Sequence, residues 1–245
     1  MKRRTPIDGP RRMATTNISS ARLKLVLFDV DGTLISSGGA GARSWRFAFD
    51  RLHGIPADIG SHSDAGETDT VVARKTFEGT LGREPTHEEL DAILALYLRR
   101  LSDEVATSAD YRILDGATDL LVRLSDAGAT LGIVSGAMEG AARVKLGRAD
   151  LNRFFLFGGY GSDSPDRFRL TKMAIDRASA LHGSPFDLTS VLVVGDTPLD
   201  VNAARSAGAV AVGVASGRYS IDDLRAAGAD HVLATLADDF PMLDT

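Results

Sequence analysis

The sequence predicts an α/β fold, a Rossmann-like parallel sheet core interrupted early by an inserted α-helical segment. Three observations carry this. Beyond residue 112, short apolar runs alternate with amphipathic helical stretches, the pattern of a parallel sheet covered on both faces. Near the N-terminus a separate run, residues 23–30, is almost continuously apolar, as strands buried on both faces are. Between the two, residues 36–110 turn to helical periodicity.

Taken in order, the first strand covers residues 23–30 and runs straight into FDVDGTL. The stretch GGAGAR, residues 38–43, lacks the Lys-Ser/Thr of a phosphate loop and reads as a flexible hinge. ARSWRFAFDRLHG then places Trp45, Ala48, Phe49 and Leu52 on one helical face. Thr86 and Glu89 have the spacing of a capping box. Leu90, Ile93, Leu94, Tyr97, Leu98, Leu101 and Val105 follow it at the helical period. The remaining helices are expected at 117–126, 138–147, 170–182, 199–207 and 221–227. They alternate with strands at 129–135, 153–159, 190–196, 209–215 and 230–233. No repeat of solenoid period is visible. The expected domains are therefore a core of residues 23–35 and 111–245 and a helical cap of residues 36–110. Residues 1–22 are basic and Ser/Thr-rich without an apolar h-region, which reads as a disordered extension rather than a secretory signal. Met13 offers a second candidate start.

Composition narrows the function. A chain of 245 residues suffices for one large domain or for a core with an insertion. With 44% hydrophobic and 25% charged residues it has the make-up of a globular protein. The net charge of −5 argues against nucleic acid as a partner. Cysteine is absent, so disulfides, thiolate nucleophiles and zinc–cysteine clusters are excluded. No apolar run reaches the ~18 residues of a membrane span. A cytoplasmic location is expected, as a monomer or homodimer.

Asp29 and Asp31, one residue apart at a strand end, repel each other unless something positive sits between them. Two further strands end in polar residues at the same expected sheet edge. One ends in GIVSGA with Ser135 and Gly136, the other in VLVVGDTPLD with Gly195, Asp196, Thr197 and Asp200. Parallel strands present their carboxyl ends together, so these residues can converge. Carboxylates and hydroxyls around one crevice suit Mg²⁺ and a bound phosphate. The five histidines show no metal-ligand spacing.

FDVDGTL, VSG and GDTPLD, in this order and with a helical insert after the first, resemble the haloacid dehalogenase superfamily of phosphohydrolases. The likeness is greatest to the branch of phosphoglycolate phosphatase and β-phosphoglucomutase, and it spans Leu23 to the C-terminus. The resemblance implies an aspartyl-phosphate mechanism on a small phosphorylated metabolite. Asp29 would be the nucleophile and Asp31 the acid/base. Mg²⁺ would be held by Asp29, the Asp31 carbonyl and Asp196, with Asp200 behind them. Ser135, Gly136 and Thr33 would cradle the phosphoryl oxygens. The segment AGETDT, residues 65–70, is similar to a cap loop of this branch, so Glu67, Thr68 and Asp69 are expected to face the leaving group. For Thr68 or Asp69 a helix N-cap is the plain alternative, and for Asp200 an acid at a helix N-terminus.

One motif departs from the family, because no Lys-Pro pair lies in GSDSPDRFRLTKMAIDRA. Arg167, at the loop-to-helix junction, is expected to supply that cation, with Arg169 and Lys172 as fallbacks. Leu170, Ala174, Ala178 and Leu181 would form the buried face and turn Lys172 to solvent. A mutase using the same residues is the alternative activity. Phosphonatase is disfavoured, since the insert contains only Lys75 as a Schiff-base lysine. Dehalogenase is disfavoured because Asp31 and Asp196 would be idle. A receiver-like binding module has no use for Asp31.

Overall fold

The computed structural model describes residues 24–241, so the extension read from residues 1–22 lies outside the described residues. Strand β1 (Leu25–Phe28) sits inside a six-stranded sheet with β4 (Thr130–Ser135) on one side and β6 (Val191–Gly195) on the other. The sheet is extended by β5 (Gly158–Tyr160) beyond β4, and by β7 (Val210–Val214) and β8 (His231–Leu233) beyond β6. Every pairing in it is parallel. Parallel neighbours need crossovers, and helices supply them on both faces.

The period-2 alternation of β1 decides which helices it touches. Val26 and Phe28 belong to the core shared with α4 (Ala117–Asp126) and α5 (Glu139–Gly147). Leu25 and Leu27 face the other core, built on α6 (Arg167–His182) and α7 (Pro198–Ser206). Helix α8 (Ile221–Ala226) leads into β8.

After β1 the chain leaves the sheet through a two-residue strand β2 (Ile35–Ser36), which pairs antiparallel with β3 (Arg112–Ile113) on the way back. Between them lie α1 (Ala40–His53), α2 (Asp69–Leu81) and α3 (His87–Thr107). Their apolar stripes meet in an aromatic cluster, with Trp45 stacked on Tyr97 at 4.0 Å and Phe49 5.2 Å from Phe77. The capping box at Thr86 and Glu89 is present. Gly38 and Gly39 both have positive φ, and a β-carbon at Gly38 would lie 2.5 Å from the Asp110 backbone. GGAGAR is therefore a tight junction between the outgoing and returning chain. Ser108 reinforces it by donating to the carbonyls of Ser37 and Gly38.

Three readings need correction. The strand expected at 153–159 is a 3-10 turn (Leu151–Phe154) followed by only three strand residues. Phe155 turns into the core against Phe28 while Leu156 is 86% exposed, so the apolar run is used for plugging rather than pairing. Leu52 and Leu181, assigned to buried helix faces, are exposed at 42% and 64%. Both lie in the last turn of their helices, where the core falls away.

Candidate active site

The carboxyl ends of β1, β4 and β6 open into a cavity of about 320 Å³ lined by Asp29, Asp31, Ser135, Gly136, Arg167 and Asp196, among others. Asp29 follows β1 directly, and its N–H donates to the Val194 carbonyl at 2.9 Å, so the β1–β6 ladder itself aims it. Gly32 has a φ of 82°, which turns the chain back and leaves Asp31 at the same cavity. Asp196 follows β6. A β-carbon at Gly32 would stand 2.4 Å from its Oδ2, and one at Gly217 nearer still. Two glycines thus make the room that Asp196 occupies.

Around Asp29 the site is buried and crowded with charge. Asp29, Asp196 and Asp200 each present a carboxylate oxygen within 4.8 Å of the others. Burial first, then the Asp200 charge, push Asp29 up to about 7 although Arg167 works against the rise. Burial, then Asp29 and Asp200, push Asp196 up to about 8. Oxygen donors kept from ionising first by burial and then by one another's charge are what a hard divalent cation would relieve. The donor set therefore fits Mg²⁺. Thr33 is wholly buried and donates to Asp196 Oδ1 at 3.3 Å, so it steadies that carboxylate instead of lining the cavity.

Arg167 is the first residue of α6, capped by Asp166, and only 8% exposed. Its Nη2 donates to Asp200 Oδ1 and lies 3.5 Å from Asp29 Oδ1, while Nη1 donates to the Gly66 carbonyl at 2.7 Å. Arg169 and Lys172 are exposed and pair with Asp166 and Asp176 on the outer surface. Of the three cations considered from the sequence, Arg167 is the one at the cavity. Asp200 closes a capping box with Thr197 through its Oδ2 and offers Oδ1 to Arg167. It is both the helix acid and a buried partner of the site.

The loop before α2 lies directly over Ser135 and Gly136. A β-carbon at Gly136 would be 2.5 Å from the Glu67 carbonyl, so only glycine permits the approach. Ser135 Oγ accepts from Ala137 N–H at 3.3 Å at the cavity wall. Glu67 lines the cavity but is held by Lys75 at 2.5 Å, which turns that lysine outward at 43% side-chain exposure. Thr68 is the N-cap of α2, accepting from Val71 N–H, and does not line the cavity. Asp69 is buried and docks on the core. Its N–H donates to the Gly136 carbonyl at 2.9 Å and its Oδ2 accepts from Met138 N–H at 2.8 Å.

One residue of the site was missed in the sequence. Lys145, on α5, is 6% exposed with Nζ 2.5 Å from Asp31 Oδ2. Its signal was a lysine within the buried stripe Ala141, Ala142 and Leu146. A charge set among apolar helix positions is expensive unless it has a partner.

The family model of haloacid dehalogenase-like hydrolases matches residues 23–208. The chain belongs to the haloacid dehalogenase-like hydrolases. It is 30% identical over 228 residues to a phosphoglycolate phosphatase of Rhodospirillum rubrum, covering 90% of this chain and 89% of that one. It is 26% identical over 224 residues to the probable phosphatase IndB of Dickeya dadantii, at 87% and 90% coverage. A hydrolase of Pseudomonas syringae of known structure superposes with a TM-score of 0.67 at 26% identity, covering 88% and 95%. This haloacid dehalogenase-like hydrolase is of the phosphatase kind. Among its described residues no helix is long and apolar enough to cross a membrane.

Proposed function

We propose that the protein is a Mg²⁺-dependent phosphatase that hydrolyses a small phosphorylated metabolite through an aspartyl-phosphate on Asp29, with residues 36–110 acting as a cap. The observation that carries this is the meeting of Asp29, Asp31, Ser135, Asp196 and Arg167 at one cavity. Asp29 attacks phosphorus as the ester P–O bond breaks, and Asp31 gives its proton to the departing oxygen. Water then attacks the same phosphorus, passing a proton to Asp31, and the Asp29–phosphorus bond breaks to release phosphate. Arg167 and the Ser135–Gly136 turn meet the phosphoryl oxygens, where charge stabilisation matters most. Asp29, the Asp31 carbonyl and Asp196 would hold Mg²⁺, which supplies charge neutralisation between carboxylate and phosphate. The curated relatives in the comparison are named as phosphatases, which favours hydrolysis over transfer to a second hydroxyl.

Asp29→Asn tests the nucleophile. Turnover should fall on the order of 10³-fold or more, and no acid-stable protein-bound phosphate should form in a single turnover. The metal-free melting temperature should hold or rise, since one of three crowded carboxylates is neutralised. Wild-type phosphate release by the variant would refute the assignment.

A further inference from the structure

The site holds two buried cations, and the mechanism above uses one. Arg167 serves the Asp29 side. Lys145 stands on the opposite side, against Asp31, and nothing in the phosphoryl cradle requires it. Burial alone would strip its charge, yet Asp31, Tyr97 and Asp69 around it hold it as an ammonium above the ordinary lysine value.

What surrounds Lys145 comes from two parts of the chain. Asp31 belongs to the loop after β1, and Lys145 to α5 beneath it. Asp69 opens α2 and Tyr97 lies on α3, both in the helical insertion. Asp69 is itself tied to α5 through Met138 N–H and the Gly136 carbonyl. The ammonium therefore sits in the joint where the insertion seats on the sheet, with one carboxylate of each part beside it. Asp31 needs such an anchor. Its side chain is 41% exposed, against 7% for Asp29, so packing alone does not choose its rotamer.

We infer that Lys145 is a positioning residue for Asp31, holding its carboxylate on the leaving-group side of the cavity and linking that placement to the seating of the insertion through Asp69. The inference rests on the reading of Asp31 as the acid/base. A proton donor must lie within about 3 Å of the oxygen it serves, and Asp31 serves two oxygens in turn. A single donor from the buried side fixes one carboxylate oxygen and leaves the other facing the cavity.

The test compares two leaving groups, p-nitrophenolate and the alkoxide of the fastest alkyl phosphate in a panel led by 2-phosphoglycolate and hexose 6-phosphates. The enzymes are wild type, Asp31→Asn, Lys145→Met and Asp69→Asn, each with a melting curve. Lys145→Met should lower kcat on the alkyl ester by about 100-fold with KM within about threefold. Burst formation of phosphoenzyme from p-nitrophenyl phosphate should fall by less than about tenfold, because nitrophenolate departs without a proton. Asp69→Asn keeps an acceptor for Met138 N–H and should show the same selectivity at smaller size, so it carries the test if Lys145→Met does not fold. Equal loss for both leaving groups in Lys145→Met or Asp69→Asn, beside a selective Asp31→Asn, overturns the inference alone. A raised KM with kcat intact also overturns it, by making Lys145 a substrate contact. Equal loss for both leaving groups in Asp31→Asn overturns the acid/base reading and the inference with it.

Discussion

The two aspartates of FDVDGTL are one residue apart yet live in different chemistry. Asp29 is buried among Asp196, Asp200 and Arg167, all carried by the sheet and the helices that follow its strands. Asp31 is half open, and its surroundings are shared between α5 and the helical insertion. The first half has little freedom, since glycines at 32 and 217 leave room for Asp196 and little else. The second half depends on where the insertion sits. Under the proposed mechanism the difference would separate the parts of the reaction, with the phosphoryl group at the crowded Asp29 side and the leaving group at the joint beside Asp31.

The largest break in that comparison should come from Arg167. Arg167→Ala should lower kcat about 10²–10³-fold, since it removes the buried cation on the phosphoryl side. Unlike a surface change, it also strands Asp200 and Asp29 without their partner, which costs about 3–5 kcal/mol when a buried pair is broken. Lys172→Ala, on the exposed face of the same helix, should leave both kcat and melting temperature within error. Loss of activity in Lys172→Ala with a silent Arg167→Ala would exchange their roles.

A smaller effect comes from pH. In the metal-free protein Asp29 and Asp196 keep their protons to about 7 and about 8, whereas the unfolded chain loses them near 4. Between those limits the native state binds more protons than the unfolded state, so stability falls as pH rises. Melting temperature without metal should decline from about pH 4 to 8, and Mg²⁺ should restore it most at the upper end. A melting temperature that Mg²⁺ leaves unchanged at pH 8 would remove the ion from this carboxylate cluster.

The smallest effect should come from the joint's rim. Glu67→Ala removes an exposed pairing with Lys75 that contributes less than about 1 kcal/mol. It also alters the wall above the cavity. Ratios of kcat/KM among phosphate esters should shift by about 3- to 10-fold while the best kcat changes little. Constant ratios across a panel would take Glu67 out of substrate choice.

The sheet, its flanking helices and the convergence of the strand-end residues of the candidate site were legible in the sequence because local rules decide them. Strand ends carry Asp29, Ser135 and Asp196, and parallel strands bring their ends to one edge whatever the details of packing. The boundaries of helix 117–126 and the capping box at Thr86 were equally local. Other features were decided only in three dimensions. Thr33 is buried and turned toward Asp196, and Thr68 is a helix cap. The chain around Phe155 bends inward and buries that ring beside Phe28 rather than extending the sheet. Lys145 belongs with these. Its ammonium is tolerated only because Asp31, from the turn after β1, and Asp69, from the first residue of α2 seated at the start of α5, 38 positions apart in number, both come to it. No spacing rule encodes that meeting, because it depends on how one set of helices seats on another.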